Sequence, residues 1–407
     1  MLKRWQQTAL TVVTVAVGLV LALWLGLHLY IAATSTPLHP DPKAVPSVSQ
    51  SGGERKWGEA VAQAQQIVRA GVSEQNLPGL SIAVGAGGRI VWAEGFGWAD
   101  LDTQAAVSPE TRFRIGHASV ALTSAGAGLL LERNRLNLDD EIQMHVPSYP
   151  KKQWPLTLGQ LMGHLGGVRH YGGEGDYMPS TRCERASDGL TPFADDPLRF
   201  EPGTQYRYST FGWVLVSAAI EAAADEPFFT FMRTQVFVPL GMEDTAMDSG
   251  ADPMPERATF YYPRFKADTH YGPETATVVD YSCVAGGGGY VSTPSDLVRF
   301  GIGLSSGTLL QPATVQRLHT PQRLSSGEES SYGLGWKIQT VPLAGEPTTM
   351  ASYDGGLLIG GSTSLLTFPD RGLVVAVTTN ISYANVAAIA TEVAQAFAER
   401  GKHAAPR

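Results

Sequence analysis

Apolar positions fall along this chain in several distinct patterns, and each predicts a different element. From Thr8 to Ala33 no Lys, Arg, Asp or Glu interrupts the sequence. That run is long enough to cross the roughly 30 Å hydrocarbon layer of a bilayer as a helix. The stretch "TSTPLHPDPKAVPSVSQSGGERK" follows, rich in Pro, Ser and Gly and without apolar periodicity, which predicts a tether over 34–56 and a folded domain that starts near Trp57. Around Glu59 to Gln75 the residues Val61, Ala64, Ile67 and Val68 recur at helical spacing. In "LSIAVGAGGRIVWAEGFG" two β-rich runs flank Gly-Gly, the signature of a hairpin.

From about Ala118 to Glu132 apolar or small residues fill nearly every position, which predicts a helix buried on all sides. Leu156 to about Ser305 reads as helical segments broken by Gly and Pro turns. The last hundred residues return to strand patterns, "YGLGWKIQT", "STSLLTF" and "GLVVAVTTN", closed by an amphipathic helix from about Ala384 to Glu399. Strands at both ends around a helical middle predict an α+β fold. An antiparallel sheet forms from about 57–115 and 310–400 of a domain spanning 57–400, and a helical lobe of about 116–309 is inserted between them. The cleft between the lobes is the natural place for a ligand.

Charge narrows the picture. The 407 residues carry a formal net charge of -8 and hold no local run of Lys or Arg, so no basic field is available for a phosphate backbone and nucleic acid is not an expected partner. Lys3 and Arg4 precede the apolar run, so the positive-inside rule places residues 1–7 in the cytoplasm, 8–33 across the membrane and the rest outside, in the periplasm or an equivalent space. A cleaved signal peptide would have a shorter apolar core and an A-x-A-like site, and the length of this run favours an uncleaved anchor. Two cysteines, Cys183 and Cys283, could pair outside the membrane or stay as separate thiols. No H-E-x-x-H or paired-cysteine spacing is present, and no metal or cofactor is expected.

Several strings together carry a resemblance: "FRIG" before the buried helix, "LNLDDEI" after it, "FEPGTQYRYSTFGWVLVSAAIE", "AGGGGYVSTPSDLVRFG", "YGLGW" and "GGSTSLLTFPDRGLVVAVTTN". The chain resembles the serine β-lactamase and penicillin-binding-protein (DD-peptidase) family, in particular its mitochondrial serine β-lactamase-like branch, from Trp57 to the C-terminus. The resemblance implies that family's fold and three catalytic elements. These are an S-x-x-K at the start of the buried helix, a tyrosine from a Tyr-x-Asn-type element, and a Lys-Thr-Gly or His-Thr-Gly on a sheet strand.

Each element is altered here. Ungapped alignment of "FRIG" and "LTSAG" puts His117 at the nucleophile position and Val120 at the lysine position. Ser119 points about 200° away around the helix from position 117. The one true S-x-x-K string, Ser148 to Lys151, lies in a Pro-containing stretch between helices. The tyrosine is kept as Tyr208, with Thr210 for the asparagine. Tyr353-Asp354-Gly355 stands in the third position, with one extra residue in the following "GGLLIGG". A carboxylate at Asp354 would repel a substrate carboxylate about 4 Å away by roughly 4 kcal/mol at an effective dielectric near 20.

These substitutions leave three readings. The first is a membrane-anchored pseudo-hydrolase that binds a cell-wall peptide or a protein partner in the old cleft, with His117 held neutral at a helix N-terminus. A working hydrolase that uses Cys283, paired with His117, or Ser119 is the second. The third is an architectural, membrane-tethered domain. His164 and His170 match positions that the family uses for structure.

Overall fold

The computed structural model describes residues 2–50, 55–250, 254–266, 268–355 and 360–404. Its first element is the helix α1, Leu2–Thr34. Within it, Ala9–Ile31 is long and apolar enough to span a bilayer, and most of its surface touches no other part of the chain, with Leu23 74% and Val20 64% exposed. Such a surface is unfavourable in water and matched by lipid.

The segment after α1 is not the free tether that its composition predicts. Val45 is buried, and His39 packs its ring against the Pro78 carbonyl. Asn76 Oδ1 accepts a hydrogen bond from Leu38 N at 2.7 Å, and Ser73 Oγ donates to the His39 carbonyl at 2.6 Å. Ser47–Ser49 (β1) then joins the edge of the main sheet, with Val48 opposite Gly95. A three-residue edge strand needs no alternating pattern and tolerates a neighbouring proline, which is why the sequence hides it. The folded domain therefore begins near Leu38 rather than Trp57.

Helix α2, Gly58–Glu74, buries Ala60, Ala64, Val68 and Val72, one stripe at a spacing of one helical turn. The hairpin of β2, Gly79–Ala86, and β3, Arg89–Asp100, closes through Gly87 and Gly88 at φ 60° and 81°, a region that glycine enters at no steric cost. Helix α3, Ser119–Glu132, is buried continuously from Ser119 to Leu130. Helices α4, Thr210–Ala224, and α5, Pro294–Ser305, follow. Strands β4, Lys337–Leu343, β5, Glu346–Gly355, β6, Ser362–Phe368, and β7, Leu373–Thr379, and helix α6, Val386–Ala404, complete the chain.

The main sheet is antiparallel with the order β1-β3-β2-β7-β6-β5-β4. The N-terminal hairpin thus pairs with the last strand of the chain, Val84 opposite Val375. One face packs on α2 and α6 through Val68, Ile82, Val375 and Val393. The other carries Ala83, Leu365, Val374 and Ala376 into the larger core shared with α3, α4 and α5. A Cβ on Gly85 would come within 2.6 Å of Val298, and one on Gly301 within 2.7 Å of Val374. Helix α5 therefore lies directly on the sheet, although the sequence pattern places 294–305 in the helical lobe.

Candidate cleft at the strand-to-helix turn

The short strand Phe113–Arg114 leads into a tight turn, Gly116–Ala118, and then into α3. Gly116 has φ 51°, and Ala118 N closes the turn onto the Ile115 carbonyl at 3.1 Å. Behind it, the Arg114 guanidinium donates to buried Asp248 at 2.6 Å and lies 4.3 Å from the Phe260 ring. In front of it runs the end of β5. A Cβ on Gly355 would meet the Ile115 carbonyl at 2.3 Å and His117 N at 3.1 Å, so only glycine lets this strand lie against the turn.

His117 occupies the turn with 3% of its surface exposed. Its Nε2 lies 3.2 Å from Oγ1 of Thr210, the first residue of α4. Ser209 caps that helix, its Oγ accepting from Gly212 N at 3.0 Å, while its own N–H donates to His164 Nδ1 at 3.1 Å. Thr210 N donates to His170 Nδ1 at 3.3 Å. Tyr208 sits in the middle, its ring 5.1 Å from His117, 4.5 Å from His164 and 5.2 Å from His170. Tyr353 and Tyr332 close the floor, 6.2 Å apart, and half-exposed Tyr206 stands at its edge, 6.0 Å from His164.

This floor is uncharged at neutral pH. Burial, reinforced by neighbouring His170, lowers the His117 imidazole to about 3, and burial lowers His164 to about 3 and His170 to about 4. For His117 burial outweighs the helix N-terminus as the reason for neutrality. Burial also pushes the phenols of Tyr208, Tyr332 and Tyr353 well above their ordinary value. These three hydroxyls approach one another closely enough to interact, but no aligned hydrogen bond joins them. Each hydroxyl, like His164 Nε2, has no hydrogen-bond partner among the described residues.

The structure places His117, Tyr208, Thr210, Tyr353 and Gly355 side by side, and it gives Asp354 and Cys283 other surroundings. Asp354 alternates with Tyr353 along β5 and so projects from the opposite face. It is exposed there, and its carboxylate accepts from Ser364 Oγ of β6 at 2.7 Å. The repulsion expected from it does not reach the floor. Cys283 is not a free thiol, because it is bonded to Cys183 with a Cα–Cα distance of 4.9 Å. A Cys283–His117 catalytic pair is thereby removed. The glycine run after Cys283 instead ties α3 to α4, with Thr123 Oγ1 donating to the Gly286 carbonyl and Gly286 N donating to Ser217 Oγ, both at 3.0 Å.

Val120 is fully buried in the apolar core. Ser119 is fully buried as well, with no partner for its hydroxyl among the described residues. His164, His170 and Tyr332 belong to the floor more intimately than the sequence suggests. His164, which the family resemblance assigns to structure, has a left-handed backbone at φ 59° that a sequence does not display. The stretch "GGLLIGG", which holds the extra residue, runs through 356–359, outside the described residues.

The family model for Beta-lactamase matches residues 64–399. The mitochondrial serine beta-lactamase-like protein LACTB of Bos taurus is 26% identical, covering 84% of this chain and 80% of its own length. Penicillin-binding protein 4* of Bacillus subtilis is 28% identical over 72% of this chain and 65% of its own. Among solved structures, the octameric penicillin-binding protein homologue from Pyrococcus abyssi superposes with a TM-score of 0.68 at 20% identity, covering 81% of this chain and 76% of that one. A D-stereospecific amidohydrolase from Streptomyces does so with a TM-score of 0.67 at 20% identity, covering 82% and 98%.

Proposed function

Because the chain belongs to the Beta-lactamase family, we propose that it is a membrane-anchored pseudo-hydrolase that keeps the family's fold and binds a ligand where its relatives place their nucleophile. What supports this reading is that, among the described residues, no base lies beside either candidate oxygen or nitrogen. Val120 fills the lysine position with a buried isopropyl group, and His117 Nε2 meets the neutral hydroxyl of Thr210. An acyl transfer needs a nucleophile whose proton a neighbour can take, and neither His117 nor Ser119 has that arrangement.

The floor suits recognition better than chemistry. Its faces are aromatic, and the hydroxyls of Tyr208, Tyr332 and Tyr353, buried and without a partner among the described residues, would supply hydrogen bonds without charge to a ligand that parts the rings covering them. A segment of cell-wall peptide or of a partner protein, bound through amides and apolar side chains rather than a free carboxylate, matches those groups. In this reading residues 1–7 lie in the cytoplasm and α1 remains in the membrane, which puts the domain in an extracytoplasmic space where the Cys183–Cys283 bond persists.

The test is covalent labelling of the purified protein with a fluorophosphonate and with a labelled penicillin. No attachment is expected, and a label on any residue of the cleft overturns the reading. The double change His117→Ser with Val120→Lys should restore labelling, with thermal melting run alongside to confirm that the variant is folded.

A further inference from the structure

We infer that the domain makes a second contact with the bilayer, through the turn between Tyr261–Pro263 and Pro273–Thr275, whose Arg264 and Phe265 lie in the lipid headgroup layer beside the end of α1. The inference rests on α1 remaining in the membrane.

The turn is fastened to the helix at a defined height. Arg264 donates from one guanidinium nitrogen to the Thr34 carbonyl at 3.2 Å and from another to Thr34 Oγ1 at 2.9 Å. The same guanidinium stands 5.8 Å from the Tyr30 ring and 5.5 Å from the Phe265 ring. Ser35 Oγ donates to the Tyr271 carbonyl at 3.4 Å, and Ile31, unlike the residues before it, is buried. The span Ala9–Ile31 has 23 residues, which at 1.5 Å per residue is about 34 Å, slightly more than the hydrocarbon thickness. Tyr30 and Thr34 then sit at the boundary, and Arg264 and Phe265 share that depth.

The chemistry of the turn fits that layer. Phe265 is 55% exposed although it is large and apolar, and its backbone is left-handed at φ 60°. A bulky residue held there costs on the order of 1–3 kcal/mol, and the outcome is a ring turned away from the domain. Tyr271 lies 6.2 Å from that ring. The turn's own carboxylate, Asp268, is hydrogen-bonded to His270 at 2.6 Å, and among the described residues no ion pair joins it to Arg264. Aromatic rings beside a cation are what membrane interfaces select, and lipid phosphate is the complement of an arginine at this depth.

The test uses the full chain in vesicles of phosphatidylcholine and phosphatidylglycerol. Both native cysteines are bonded to each other, so a nitroxide can be placed selectively on Tyr271→Cys, which leaves the Asp268–His270 pair intact, with Leu21→Cys and Met144→Cys as lipid and water references. Collision with a water-soluble nickel chelate should be much lower at 271 than at 144, and Arg264→Glu should lower the docked-to-undocked ratio about fivefold or more. Equal collision at 271 and 144, with the label on 21 protected, overturns the docking while the anchor stands. A water-accessible label on 21 overturns the anchor and the docking with it.

Discussion

Helices α1 and α3 are both apolar on nearly every side, yet they meet opposite surroundings. Leu23 of α1 is 74% exposed, whereas α3 is closed off from Ser119 to Leu130. The difference lies in side-chain size. Helix α1 is rich in Leu and Val with Trp24 among them, whereas α3 interleaves Ala, Gly and Ser. A Cβ on Gly126 would come within 2.5 Å of the Met232 sulfur, and one on Gly128 within 2.9 Å of Leu310. Small residues let other protein elements approach closely, and large ones present a surface that fluid lipid can cover. Hydrophobicity alone therefore does not name the neighbour.

The sharpest way to break the comparison is to place the same carboxylate in both helices. Ala125→Asp should cost the domain 4 kcal/mol or more, because an unpaired charge would enter the core, and a urea melt of the domain reads it. Leu21→Asp should leave that melt unchanged and instead weaken membrane insertion by about 3–4 kcal/mol. A smaller effect comes from acid acting on the turn that starts α3. His117 and His164 titrate near 3 when folded and near 6.5 when unfolded. The unfolded chain thus binds protons first as pH falls below about 6.5, and stability present above that value is lost on the way down. Between pH 6.5 and pH 5 the loss should be roughly 2 kcal/mol for each imidazole, and His117→Phe should flatten its share of the slope. The mildest change sharpens the link between α1 and the domain. Val45→Ala, in the strap that follows α1, should cost about 1–2 kcal/mol in a melt of the full chain.

Most of the fold was legible because its long elements carry strong periodicity. Helix α2, the Gly87-Gly88 hairpin, α3, β6 and β7 appear close to where the pattern puts them. What stayed hidden depends on pairing. The strap β1 is too short to show a period. Whether Asp354 or Tyr353 faces the floor is a question of strand parity, fixed only once β5 pairs with β6. The bond between Cys183 and Cys283 joins residues 100 apart, a distance that no local pattern spans. At the site, Tyr208 and His117 followed from the family resemblance, whereas Tyr332 reaches the floor from a loop whose path the sequence does not encode locally.

The strand order has a consequence for biosynthesis. The hairpin β2-β3 has β7 as its neighbour toward the rest of the sheet, so two of the first strands to emerge from the ribosome must wait for one of the last. The intervening chain has to be delivered before the sheet can close. Sheet closure therefore awaits β7, and pairing strands so far apart in sequence is intrinsically slow. Until then the exposed side of β2 is an open edge that a chaperone or a second nascent chain can occupy.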